Sequence, residues 1–145
     1  MRLRRVTADW LPVEPFYAKL ERRGVSVTVL DVAVSLRRNL ELGIEVTNFG
    51  CHDSLAEVES NQRGLARDVI DRFGTHPMRC EIPVDKSVSD LRRIRDDLVA
   101  GARLKGEVSR WLLDARRSDF YITVFGECLH ITELAPLMSE RLLTN

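Results

Sequence analysis

Three short apolar runs along the chain predict the strands of a sheet. Residues 25–30 alternate, are rich in β-branched side chains and end at Asp31. Residues 44–49 form a second run and residues 120–125 a third, and glycine directly follows each of these two. The third run is apolar throughout, which is typical of a strand that is covered on both faces of a parallel sheet. We therefore expect a thin sheet of about three strands.

Helical patterns lie around these strands. A proline and a glycine bracket an apolar pattern at residues 16–20, so a short helix is predicted ahead of the first strand. Between the second and third strands, Asn61 is placed to cap a helix that ends at Gly74. The apolar face of that helix consists of Leu65, Val69, Ile70 and Phe73.

The longest helix is predicted for residues 87–114. Ser87 and Asp90 form a capping box, and apolar residues recur after them at three- and four-residue spacing. A last amphipathic helix after the third strand would use Leu134, Leu137, Met138 and Leu142. Because helices separate the strands, the pattern predicts the α/β class, with a small, largely parallel sheet covered by helices. Without a repeat or a Gly/Ser linker, residues 1–145 are expected to form a single α/β domain.

Charge and cysteine content limit the expected partners and the expected cellular location of the protein. Lys and Arg together number 22, as do Asp and Glu, so the net charge is zero and nucleic-acid binding is not expected. No apolar run reaches the roughly 18 residues of a membrane span. Three cysteines without a CxxC pair indicate reduced thiols, so we expect a cytoplasmic protein. The basic residues are mostly Arg, which favours a bacterial source with a GC-rich genome.

Four stretches occur in the same order as in one known family. They are PFY to LDV at residues 15–32, FGCHD at 49–53, the DLRR-led stretch at 90–105, and DFYITVFGE at 119–127. Together they resemble the phosphodiesterase and nucleotide-pyrophosphatase (type I phosphodiesterase) branch of the alkaline phosphatase superfamily. The second stretch of this chain is similar to the WGTHD string of that branch, and the fourth stretch is similar to its DLFLTVFGES string.

The resemblance implies an alkaline-phosphatase-like sheet and a divalent metal such as zinc or manganese. In that superfamily paired metals neutralise the attacking and leaving oxygens while a Thr or Ser attacks phosphorus. The nucleophile and most metal ligands have no counterpart here, and Leu129 and Glu133 stand where related sequences carry two histidines. The resemblance therefore predicts a truncated or degenerate phosphodiesterase-like domain, inactive alone, with residues 128–145 as a divergent tail.

Candidate site residues lie at the strand ends. Glu127 closes the third strand, where α/β proteins place ligands, and together with His130 it is the candidate metal ligand. His52 and Asp53 follow the second strand and are the candidate substrate-binding residues. An ordinary structural role, as a strand-end carboxylate or a turn residue, is the alternative interpretation for each. No residue is assigned a catalytic role.

Two other constellations are weaker. Ligand type alone would allow a zinc site from His76, Cys80, His52 and His130, but the sequence offers no second local pair. Cys51 and His52 are adjacent, and adjacent side chains on an extended chain point apart, which disfavours a nucleophilic dyad.

Two functions are alternatives to the interpretation as an inactive domain. The first is weak metal-dependent phosphoester hydrolysis by Glu127, His52, Asp53 and His130. The second is a protein-interaction module that presents the long helix and the thin sheet. An exposed edge of that sheet would favour a homodimer or self-association.

Overall fold

The structure is a computed structural model that describes residues 13–32, 40–50, 57–78, 87–128, 130–132 and 135–136. Its helices are α1 (Phe16–Glu21), α2 (Leu65–Phe73) and α3 (Val88–Ala115). Its strands are β1 (Val27–Leu30), β2 (Ile44–Thr47), β3 (Glu59–Ser60) and β4 (Phe120–Thr123). Helical backbone also occurs at residues 126–128, 130–132 and 135–136, in the region of the predicted last helix. The residues predicted for that helix's apolar face lie outside the described residues.

The strands form one mixed sheet in the order β3-β2-β1-β4. β1 runs parallel to β2 and to β4, whereas β3 is antiparallel to β2. Leu30 near the end of β1 is in register with Val46 on one side and Thr123 on the other. The largely parallel α/β sheet is therefore confirmed, with β3 as an additional strand that no apolar pattern indicated.

The prediction that residues 120–125 form a strand buried on both faces is met only in part. β4 packs Tyr121 against the apolar cluster on one face and Phe120 and Ile122 against the cluster on the other. β4 lies at an edge of the described sheet and each of its residues is only half-buried. β1 and β2, which each have a neighbouring strand on both sides, are the fully buried strands. An apolar run reports how apolar the two faces of a strand are, but not how many neighbours that strand has.

Apolar clusters cover both faces of the sheet. On one face the strands pack against α2 and α3 through Leu30, Ile44, Val46, Phe49, Val69, Val108 and Leu112. On the other face the sheet packs against α1 in a cluster of buried residues that consists of Tyr17, Ala18, Val27, Val29 and Leu40. A third cluster, made of Met78, Leu91, Ile94 and Leu98, lies along the first half of α3. The long helix is thus buried along one stripe, as its periodicity predicts.

The helix caps differ in how well the sequence predicted them. The Ser87 side chain accepts a hydrogen bond from the Asp90 backbone N–H, and the Asp90 carboxylate accepts one from the Ser87 N–H, so the capping box is confirmed. The Asn61 cap is wrong, because α2 begins behind Gly64 in a left-handed conformation. Asn61 instead accepts from the Glu45 backbone N–H at 2.7 Å and ties the turn at residues 40–43 to β2.

The described part of the chain contains no helix with the length and apolar content needed to cross a membrane.

Candidate functional site

A group of ionisable side chains meets at the carboxyl ends of β1 and β4. Asp31 directly follows β1, and Glu127 follows β4 by four residues. Because these two strands are parallel neighbours, their ends reach the same edge of the sheet, which is where α/β proteins bind ligands. Lys105 enters from α3 and His76 from the segment after α2. We refer to Asp31, His76, Lys105 and Glu127 as the strand-end cluster.

Lys105 lies at the centre of the strand-end cluster. Its Nζ is 2.6 Å from Asp31 Oδ2 and 2.9 Å from Glu127 Oε1, and it donates to the carbonyl oxygen of Val124 at 3.0 Å. Three oxygens therefore surround the ammonium, with the Val124 carbonyl as a hydrogen-bond acceptor and the two carboxylates as ion-pair partners. The Lys105 side chain is 0% exposed, and the ring of Phe125 lies 5.8 Å from its charge. The cation is therefore wholly engaged inside the protein.

His76 connects Glu127 to the segment that follows α2. Its Nε2 is 2.8 Å from Glu127 Oε1, and both side chains are buried. Its Nδ1 lies 3.2 Å from the Met78 backbone nitrogen, which donates to it, and 3.0 Å from the Met78 carbonyl oxygen. The imidazole also packs edge-on against Phe49, with ring centroids 6.0 Å apart. These contacts fix the ring and direct Nε2 at the carboxylate.

Asp31 joins the ends of β1 and β2. Its backbone has φ 53°, in the left-handed region that Asp tolerates better than most residues. Its N–H donates to the Val46 carbonyl oxygen at 2.8 Å, and its Oδ1 accepts from the Phe49 N–H at 3.1 Å. The carboxylate therefore uses one oxygen to close the turn and presents the other to Lys105.

Two glycines allow the backbone to approach the strand-end cluster. A Cβ on Gly50 would lie 2.6 Å from Lys105 Nζ and would also overlap the Asp31 carboxylate. A Cβ on Gly101 would overlap the imidazole of His76. A side chain at Gly50 would displace Lys105 and Asp31, and one at Gly101 would displace His76, so glycine is the residue that fits at both positions.

The electrostatic balance keeps Glu127 ionised. Burial by itself raises the pKa of this carboxyl, but the hydrogen bond with His76 and the charge of Lys105 outweigh burial and bring the pKa to about 2. One ammonium thus neutralises part of the charge of two carboxylates. The second oxygen of Glu127, Oε2, is buried and has no hydrogen-bond partner among the described residues.

The sequence-predicted site residues have different outcomes. Glu127 lies at the predicted strand end, in contact with Lys105 and His76. His130 is half-buried and follows Glu127 by three positions, with helical backbone on both sides of the gap at residue 129. His52 and Asp53 lie outside the described residues, as do Cys51 and Cys80. The metal-binding role of Glu127 and His130 stays a prediction.

Sequence reasoning missed the roles of Lys105, His76 and Asp31 in this cluster. A signal for Lys105 was present, because the lysine falls on the apolar stripe of α3 that holds Leu98 and Val108. A charge on a buried stripe needs a partner of opposite sign, and strand-end carboxylates are the natural candidates. His76 carried no comparable signal.

The strand-end cluster does not fit a metal centre. Across the described ranges no three His, Cys, Asp or Glu side chains come together in a way that could hold a metal ion. The space between Asp31 and Glu127, where a cation would bridge two carboxylates, is taken by the Lys105 ammonium.

Comparisons with family models, with curated proteins and with solved structures found no match to this chain. The fold class and the geometry of the strand-end cluster are therefore the basis for any functional conclusion, and the family resemblance stays a prediction.

Proposed function

We propose that this chain is a degenerate phosphodiesterase-like α/β domain of the alkaline phosphatase superfamily that does not hydrolyse phosphoesters by itself. In it the strand-end cluster has a structural role. The observation that carries the proposal is the position of Lys105, whose ammonium lies between the two carboxylates at the carboxyl edge of the sheet.

Lys105 makes those carboxylates unavailable for metal-assisted chemistry. A metal-dependent hydrolase uses such groups to hold cations beside the reacting phosphorus. Here the side chains of Lys105 and Glu127 are 0% exposed and that of Asp31 is 3% exposed. Removing an ion from such a buried arrangement leaves an uncompensated charge, which costs roughly 3–5 kcal/mol. The cluster is therefore suited to fixing three elements and poorly suited to exchanging its cation.

The His76–Glu127 pair does not substitute for a catalytic base. A general base must reach the proton it removes from a substrate or a water within hydrogen-bond distance. Glu127 Oε1 is already shared by His76 and Lys105, and the imidazole is held at both ring nitrogens. The other carboxylate oxygen, Oε2, is buried, and the two side chains are only 1% and 0% exposed, which keeps them from solvent. The pair is thus directed inward, at other parts of the same domain.

Convergence of the family-like stretches supports the superfamily part of the proposal. Asp31, Lys105 and Glu127 come from three of the four stretches that resemble the phosphodiesterases. These residues are 74 and 22 positions apart in sequence, yet the fold brings them within ion-pair distance of one another.

Hydrolysis of bis-p-nitrophenyl phosphate tests this proposal directly. The purified chain is assayed with zinc or manganese, and we expect no turnover above buffer. Glu127→Gln is the matched variant, and Glu107→Gln, at an exposed position of α3, is its control. Metal-dependent turnover that Glu127→Gln abolishes and Glu107→Gln retains would establish a reduced but functional hydrolase and overturn the proposal.

A second candidate function is a protein-interaction module, and the open edge of β4 favours it. The half-buried strand Phe120–Thr123 has β1 on one side and no strand beyond it in the described sheet. Pull-down experiments with the domain that recovered no partner, not even a second copy, would remove this candidate.

We also propose a cytoplasmic location. The cysteines number three, and Cys128 carries a free, exposed thiol, which suits a reducing compartment. Cell fractionation that found the protein outside the cytoplasm would contradict this assignment.

A further inference from the structure

We propose that β4 pairs antiparallel with β4 of a second copy of this chain, in a register centred on Ile122. The two sheets then form one continuous sheet across a two-fold axis. This deepens the second candidate function, on which it rests, because it names the occupant and the register of the open β4 edge. It does not involve the strand-end cluster.

The hydrogen-bonding pattern of β4 identifies which residues face outward. Phe120 N–H donates to the Ser26 carbonyl oxygen at 3.0 Å, and Val124 N–H donates to the Leu30 carbonyl oxygen at 3.4 Å. Alternate residues of a strand point their backbone groups to the same side. Tyr121 and Thr123 therefore direct one N–H and one C=O each away from β1. Within the described ranges no other element pairs with these four groups.

The composition of this strand offers no protection against pairing. Native edge strands are usually short, charged, bulged or interrupted by proline. Residues 120–125 read FYITVF, with three aromatic and three β-branched side chains and no charge, proline or glycine. The opposite edge differs, because β3 is only two residues long and carries Glu59. β4 is thus the edge that is suited to accept another strand.

Two-fold symmetry selects a second copy as the occupant. With Ile122 on the axis, Tyr121 lies opposite Thr123 of the second copy, and each such pair exchanges two hydrogen bonds. All four outward backbone groups are thereby satisfied in each copy, because the same patch is used twice. Ile122 meets itself and Phe120 meets Val124, so apolar side chains oppose apolar side chains on the face that carries α1.

An apolar side chain beside the edge extends the surface that a second copy would cover. Phe16 of α1 is 53% exposed. The ring of Phe16 packs edge-on against Phe120, with centroids 5.8 Å apart, so this apolar surface is continuous with β4. A patch of this kind next to an open strand is typical of an association site.

Sedimentation of three proteins over a range of concentrations tests the proposal. We expect the native chain to form a dimer. Thr123→Pro removes one outward N–H without touching the bonds to β1, and it should weaken the dimer by about tenfold or more. Thr123→Val keeps that N–H and should dimerise as the native chain does. A native chain that is monomeric throughout would overturn the proposal, and so would a dimer that Thr123→Pro leaves unchanged.

Cross-linking provides a readout that does not depend on how well the proline variant folds. Residues opposite each other in a non-hydrogen-bonded antiparallel pair have Cα atoms about 4.5 Å apart, within reach of a disulfide. In a background with serine at positions 51, 80 and 128, Ile122→Cys should cross-link readily under mild oxidation. Arg110→Cys, exposed on α3, should not. Failure of Ile122→Cys to cross-link would contradict the proposed register. The hydrolysis assay is independent of both experiments.

Discussion

At the scale of single residues, Lys105 decides how the carboxyl end of the sheet is held together. Its Nζ lies 2.6 Å from Asp31 Oδ2 and 2.9 Å from Glu127 Oε1, so the two carboxylates share one cation. The lysine side chain itself has no exposure to solvent. A lysine is almost never fully buried unless it is paired, and here the pairing explains the burial. The two buried carboxylates in turn need the ammonium of Lys105 to compensate their charge.

Replacement of Lys105 should therefore be strongly destabilising. Lys105→Met keeps most of the apolar stem but leaves two buried carboxylates without their cation, so we expect the free energy of unfolding to fall by roughly 3–5 kcal/mol. Urea unfolding at fixed protein concentration measures the loss. Lys19→Met, at an exposed position of α1, is the control and should change stability by less than about 0.5 kcal/mol. A loss below about 1 kcal/mol for Lys105→Met would show that the cluster is not a structural centre.

At the scale of elements, α3 and β4 show where local sequence suffices and where it does not. The start of α3 is encoded by neighbouring residues, since Ser87 and Asp90 cap each other. The position of β4 at an edge is decided by which strands lie beside it, and its own sequence does not contain that information. β3 was missed for a related reason, because Glu59–Ser60 has no apolar pattern and exists only through its pairing with β2.

The cap of α3 makes a separate, smaller contribution to stability. Ser87→Ala removes the acceptor for the Asp90 N–H and should lower the free energy of unfolding by about 1 kcal/mol. Ser87→Asp keeps an acceptor at the same position and should retain most of the stability. Thermal unfolding of both variants compares them. Equal losses for alanine and aspartate would mean that the cap does not stabilise the helix.

At the scale of the whole molecule, the sequence predicted the fold class better than the site. Patterns with periods of two and 3.6 residues are local, and they identified β1, β2, α2 and α3. The strand-end cluster depends on contacts between residues far apart in sequence, such as His76 and Glu127, which are 51 positions apart. Of this cluster, Glu127 is the residue that was predicted as a leading site candidate, because the carboxyl end of a strand is a preferred place for functional groups. Which cation it meets depends on how α3 packs against the sheet.

Acid sensitivity is the property of the whole domain that follows from this cluster. Burial opposes ionisation of Glu127, but His76 and Lys105 lower its pKa from 4.5 to about 2 in the folded state. A carboxyl with a lowered folded-state pKa stabilises the fold fully above its unfolded pKa, and that stabilisation is lost as the pH falls toward the folded value. The difference corresponds to roughly 3 kcal/mol. We therefore expect the free energy of unfolding to decrease steadily between pH 4.5 and pH 2.

Urea unfolding across that pH range, at fixed protein concentration, measures this dependence. The comparison that isolates Glu127 is Glu127→Gln, which cannot ionise and should show a shallower decrease from a lower starting stability. Glu107→Gln alters an exposed carboxyl on α3 and should follow the native curve. If Glu127→Gln reproduced the native slope, another group would be responsible for the acid sensitivity. The strand-end cluster would then not hold Glu127 in its ionised form, and the structural role assigned to Lys105 would lose its main electrostatic support.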